Sequence, residues 1–360
     1  MAKYEQIITN KATGEQASVK SNDPYLMEQK IEKLLAKWQR EAEKRHSANL
    51  KAEKADDAVQ QTVEAKARIA AYGNILKATL AKNDRIDWNE LKSKENFHAY
   101  VPDPDPTKED FLQNVPRKSF LEAIFSFMRR NREKAEADAL RSYQAACLSH
   151  VQRQDKNRKE YEDAKSLFLR KQRDHNAKVD SLKGSFEQAD RGAIESYINM
   201  VLERSEYPDE INLDHQVSFE GSTRLLRIDT ELPTLDDLSF ISEVKYVSSK
   251  DSFQTKTLSK TEAKTLYTEI IYQIAIRTLH EIYEAEYTGN VHLIEFNGFI
   301  AGIDPKRGTE VKTSILKLKT DRDAFMQFNL SRIDAEACAS GLGGKLEKIA
   351  FDLTSTKKSA

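Results

Sequence analysis

Cysteine occurs only at Cys147 and Cys338. Two isolated thiols exclude a disulfide framework and a cysteine-built zinc site. Proline is scarce: eight in 360 residues, three of them clustered at Pro102, Pro104 and Pro106, and none between Pro116 and Pro208. Up to residue 210 glycine appears only at Gly14, Gly73, Gly184 and Gly192. Without these breakers, long stretches keep helix as the accessible conformation. No run of 18 apolar residues exists, which excludes an apolar membrane-spanning helix. The opening Met1-Ala2-Lys3-Tyr4-Glu5 lacks an apolar signal core, so the expected location is the cytoplasm. Lysine plus arginine (57) balance aspartate plus glutamate (58), so no bulk charge draws the chain to nucleic acid or membrane. Hydrophobic residues reach 39% and charged residues 32%. That balance excludes one dense core and favours exposed, charged helix.

What is present divides the chain into six segments. Residues 1–23 read as a small β-hairpin, with Tyr4, Ile7 and Ile8 on one arm and Ala17 and Val19 on the other. Asp23 and Pro24 are an N-cap and a first helical residue, and they open a long helix over 24–82. Met27, Ile31, Leu34, Leu35 and Trp38 recur at spacings of three and four; the stripe then fades to alanines among charges. Such a seam suits packing against another long helix, here an antiparallel hairpin with the second helical region. Residues 83–119 form a proline-rich, acidic, semi-rigid connector, with Trp88, Leu91 and Phe97 as local anchors. Residues 120–207 form the second helical region, opening on Phe120, Leu121, Ile124, Phe125 and Met128. Residues 208–345 read as a compact α+β domain: a hairpin over 216–232, a strand at 244–247, a helix over 260–287, a second hairpin and a terminal helix near 322–330. Residues 346–360 read as a polar tail. The expected fold class is therefore α+β, a long helical arm followed by antiparallel hairpins around a long helix.

Three groups of residues have chemical potential. Asp229 closes one expected strand, and Glu243 and Lys245 share one face of the next. A PD-(D/E)xK nuclease needs such acids to hold Mg²⁺ and a lysine to polarise water. Against this, Glu-x-Lys recurs by chance in a chain this rich in both residues, and the element order departs from the nuclease core. A solvent-facing alternation on the strand reads first. On the long domain helix, Glu269, Gln273, Arg277, His280, Glu281 and Glu284 fall near one another, with Arg277, His280 and Glu284 as a possible pocket wall or an ion-paired outer face. Arg153, Arg158, Lys159, Arg170, Lys171 and Arg173 are candidates for phosphate contact, diluted by neighbouring acids. The histidines show no metal-ligand spacing, so no metal is expected. Gly341-Leu342-Gly343-Gly344-Lys345 lacks the spacing and hydroxyl of a phosphate loop.

Several stretches together resemble a known family. They are Tyr197–Leu202 with Ser205-Glu206-Tyr207-Pro208, Glu243-Val244-Lys245-Tyr246-Val247, and Tyr272-Gln273-Ile274-Ala275-Ile276-Arg277-Thr278-Leu279-His280-Glu281. Phe296-Asn297-Gly298-Phe299 with Ile303-Asp304-Pro305, Phe325–Leu330 and Ala337-Cys338 extend the pattern, as do Ala12-Thr13-Gly14-Glu15, the Trp38 helix and Asp87-Trp88. They resemble the region preceding the catalytic domain of Mrr-like restriction endonucleases of bacteria. The resemblance implies a restriction or anti-phage setting, and it assigns cleavage to a nuclease domain that this chain lacks. No catalytic residue carries over. The expectation is a non-catalytic sensor or scaffold subunit: a homo-oligomer that binds a separately encoded effector or DNA and no membrane. The alternative is a divergent Mg²⁺-dependent nuclease using Asp229, Glu243 and Lys245.

Overall fold

The computed structural model describes residues 3–119 and 125–355. The fold is mixed α+β, in two compact units: residues 1–85 with 194–360, and residues 86–193. Phe120, Leu121 and Ile124 lie outside the described residues.

The first unit begins with the expected hairpin, β1 (Tyr4–Thr9) against β2 (Gln16–Ser21). Helix α1 (Pro24–Tyr72) follows, and Asp23 accepts the Leu26 amide at 3.0 Å as its cap. Met27 and Trp38 of α1 are buried, as are Val19 and Ser21 of β2, the strand that packs on this helix. The helix ends ten residues before the expected Lys82. After Gly73, side chains of a distant helix replace the helical partners of the backbone: Leu76 N–H donates to Gln273 at 3.0 Å, and Tyr72 C=O accepts from it at 3.2 Å. The apolar pair Ile75 and Leu76 continues the helical period but is buried in a turn.

Helix α4 (Arg191–Glu203) starts in the second unit and runs into the first. Strands β3 (Asp214–Glu220) and β4 (Leu225–Glu231) form the expected hairpin. The strand at 244–247 is half of a second hairpin, β5 (Ile241–Val247) with β6 (Ser252–Thr257), which stands apart as its own two-stranded sheet. Val244 packs toward α1, where Thr62 accepts and donates with the Val244 backbone at 2.8–2.9 Å. Helix α5 (Lys260–Ala285) leads back to β7 (Leu293–Asp304), which pairs parallel with β4. The sequence suggests only antiparallel hairpins here, because a parallel pair joins strands about sixty residues apart and leaves no local turn signal. Strand β8 (Thr309–Asp321) returns antiparallel on β7.

Helix α5 is the hub of this unit. Every residue from Ile270 to Leu279 is buried, as for a helix packed on all sides. The expected terminal helix is only α6 (Arg322–Phe325), and a further short helix, α7 (Ala335–Gly341), packs on α5.

Residues 346–355 correct the reading of 346–360 as a polar tail. Leu346, Ala350 and Leu353 are buried, and β9 (Thr354–Ser355) pairs with β7. A Cβ on Gly302 would stand 2.9 Å from the Thr354 carbonyl, so glycine is what lets this strand approach. Deleting 346–360 is expected to lower unfolding free energy by about 3–6 kcal/mol, the contribution of two buried leucines and more. Urea denaturation measures it, and an unchanged midpoint would mean the segment is not part of the core.

The second unit is organised by α3 (Ser126–Glu187), about 93 Å long at helical rise. It begins at Ser126 and continues through Gly184 to Glu187, and Ala189 just beyond it is left-handed, at φ 59°. The connector is not a free spacer. It runs along α3 as an extended strap in the opposite direction. Trp88 meets Phe186 at 5.8 Å between ring centres, Phe97 meets Phe168 at 5.3 Å, and Phe111 of α2 (Lys108–Leu112) meets Tyr143 at 5.8 Å. An extended chain on a helix has no ladder partner for its carbonyls. Side chains of α3 supply the donors: Asn176 to Ser93 at 3.2 Å, Gln172 to Glu95 at 2.9 Å, Tyr161 to His98 at 2.9 Å and Gln154 to Asp103 at 2.8 Å. The prolines suit this path, since they hold it extended and have no amide to satisfy.

Candidate functional site

Charge on a helix packed on all sides must be paired or hydrogen-bonded, and α5 has it at four positions one turn apart or less. Arg277 and Glu281 are 2% and 1% exposed, so they are not the ion-paired outer face that the sequence suggests. Arg277 Nε donates to Glu281 Oε1 at 2.6 Å, and its Nη1 donates to the Ile75 carbonyl at 3.2 Å. Its guanidinium lies 4.1 Å from the ring centre of Tyr207. Glu281 also accepts from Thr79 Oγ1 at 3.0 Å and from Ser205 Oγ. With Gln273 one turn before, these side chains fasten the turn after α1 and the loop after α4 to the hub helix. Burial pushes the Tyr207 phenol well above its usual range.

The next two polar positions of α5 meet a different partner. His280 and Glu284 come together with Asp84, and one donor atom from each lies within 4.8 Å of the others. His280 Nε2 is 3.2 Å from Glu284 Oε2, within ion-pair reach but without hydrogen-bonding geometry. Asp84 Oδ2 and His280 Nε2 are both buried with no hydrogen-bond partner. Burial pushes the Asp84 carboxyl up to about 7, helped by the charges of Glu281 and Glu284 and opposed by Arg277. Burial lowers the His280 imidazole against the pull of Glu284 and Glu281. A cavity of about 380 Å³ opens beside the cluster, lined by Thr79, Lys82, Asp84, Arg204, Arg277 and Glu281.

Of the residues singled out in sequence, Asp229 lies on β4, where it accepts from Asn297 of β7 at 2.5 Å. Glu243 and Lys245 lie on β5, both exposed, in the other sheet. The structure does not bring the three together. Arg153, Arg158, Lys159, Arg170, Lys171 and Arg173 are all exposed on α3. At about 100° per residue, Arg158 points about 140° away from Arg153 and Lys171, and acids lie between them, so the six form no single stripe. Gly344 in the glycine-rich turn is packed: an added Cβ would collide with Leu318. Arg277, His280 and Glu284 divide between two constellations. Sequence reasoning gives no site role to Asp84, Thr79, Ser205 or Tyr207, which come from other segments than α5.

The fold and cluster define an α+β protein with two long charged helices and a buried polar hub. No family model matches the chain, and no curated protein or solved structure matches it.

Proposed function

We propose that this protein works by holding other molecules: a scaffold or sensor subunit that assembles with a second copy of itself through α1. One observation carries the reading. Ala48, Ala52, Ala55, Val59, Val63 and Ala70 recur at helical spacing along α1 and are all exposed, Val59 and Val63 at 64% and 56%, with Lys66 as the one charged residue between Val63 and Ala70 on this row. This row continues the face on which Met27 and Trp38 are buried, and it lies away from the Ala58–Ala65 face turned to β5. Its flanks differ in charge. Lys37, Lys44 and Lys51 follow one edge at intervals of seven, and Asp56 stands on the other. A parallel two-fold pair sets Lys51 against Asp56 of the second copy; an antiparallel pair would set lysine against lysine. The seam and its charges therefore suit a second copy in parallel register.

A separately encoded effector and an anti-phage or restriction setting come from the resemblance to the Mrr-like region. Nothing in the geometry of Asp229, Glu243 and Lys245 favours the nuclease alternative. Val59→Lys with Val63→Lys tests the reading by sedimentation equilibrium. Both positions face solvent, so folding should persist while self-association weakens roughly tenfold or more, as expected for charges placed in an apolar seam. Unchanged association, or cleavage of plasmid by the purified protein with Mg²⁺, would contradict the proposal.

A further inference from the structure

We propose that Asp84, His280 and Glu284 form a binding site for a divalent transition-metal cation, one that clamps the chain after α1 to the hub helix. The donors are an imidazole and two carboxylates, a set that suits Zn²⁺ or Mn²⁺ better than the harder Mg²⁺ or Ca²⁺. Their donor atoms lie within 4.8 Å of one another. Ligands about 2.0–2.2 Å from one ion stand at most about 4.4 Å apart, so a cation draws these side chains together by a few tenths of an ångström or more.

The second observation is independent of the grouping. Buried polar atoms in folded proteins almost always have a partner, and an exception points to a missing water or ion. Asp84 Oδ2 and His280 Nε2 are two of the few buried side-chain atoms without one among the described residues, and they belong to the same cluster. With Asp84 ionised and the imidazole proton on Nδ1, both atoms present lone pairs, and a cation between them satisfies both.

The surrounding charges agree. The groups facing the cluster are Arg277, Glu281 and Glu284. Arg277 is engaged by Glu281 at 2.6 Å, which leaves the carboxyl groups of Asp84 and Glu284 to the ion. The cavity of about 380 Å³ reaches the cluster at Asp84, and His280 and Glu284 do not line it. The elements joined are the segment after α1, which ends this part of the first unit at Arg85, and α5.

The full chain, stripped with EDTA, is titrated with Zn²⁺ by calorimetry at about pH 7. One Zn²⁺ per chain is expected. Asp84→Asn and His280→Ala should each weaken binding by roughly tenfold to a hundredfold or more, while His46→Ala on the exposed face of α1 leaves it unchanged. If a variant fails to fold, Co²⁺ on the unsubstituted chain decides. Visible bands of nitrogen and oxygen ligation without thiolate charge transfer support the site; a thiolate band would place the metal at Cys147 or Cys338 and overturn it. Absence of stoichiometric Zn²⁺ binding, or unchanged affinity in folded Asp84→Asn and His280→Ala, also overturns it.

Discussion

Arg277→Ala is expected to lower unfolding free energy by about 3–5 kcal/mol, because it leaves Glu281 buried with its charge uncompensated. Thr79 and Ser205 still donate to that carboxylate, but neither neutralises it. The variant also loses the stacking on Tyr207 and the bond to the Ile75 carbonyl. The size of the effect comes from the broken pair rather than from any large net contribution of the intact one. Arg277→Met combined with Glu281→Leu should therefore be far less harmful than Arg277→Ala alone, since both charges leave together. Urea denaturation of the three chains reads this directly. A single variant as stable as the parent, or a double variant worse than the sum of the singles, would show that the pair is not the source of the effect.

Trp88→Ala is the second large expectation, and it concerns the other unit. Trp88 is buried on Phe186 where the strap meets the end of α3. Removing an indole from such a site costs about 3–5 kcal/mol. The strap has no ladder of its own and depends on side chains of α3, so the loss should spread along it. Hydrogen exchange is expected to quicken over residues 88–105 and the facing turns of α3, while α5 and the sheet of the first unit keep their protection. If the strap's amides exchange as in the parent, Trp88 is not its anchor.

Much of this architecture is legible in the sequence, and the exceptions share a cause. The cap at Asp23, the second hairpin of the domain and the period of α5 are local signals, and the structure places helices and a hairpin there. The end of α1 at Tyr72 is not local. Ile75 and Leu76 keep the helical spacing, and only Gln273 and Arg277, about two hundred residues away, explain why the backbone leaves the helix. The strap looks like a free linker because its prolines are visible and its donors, Gln154, Tyr161, Gln172 and Asn176, are on another element. The buried segment at Leu346 and Leu353 is hidden among lysines and serines. The same holds for the polar cluster: His280 and Glu284 stand out at helical spacing, but Asp84 is an ordinary acid until the chain folds it against them. Asp229, Glu243 and Lys245 show the reverse case, adjacent in pattern and assigned to different sheets by the fold.

The central claim is assembly, and the molar mass of the unmodified chain in solution tests it most directly. Light scattering over a micromolar concentration series should give twice the 41.2 kDa chain mass at the upper end, declining toward one chain on dilution. A mass of 41.2 kDa at every concentration would contradict the account.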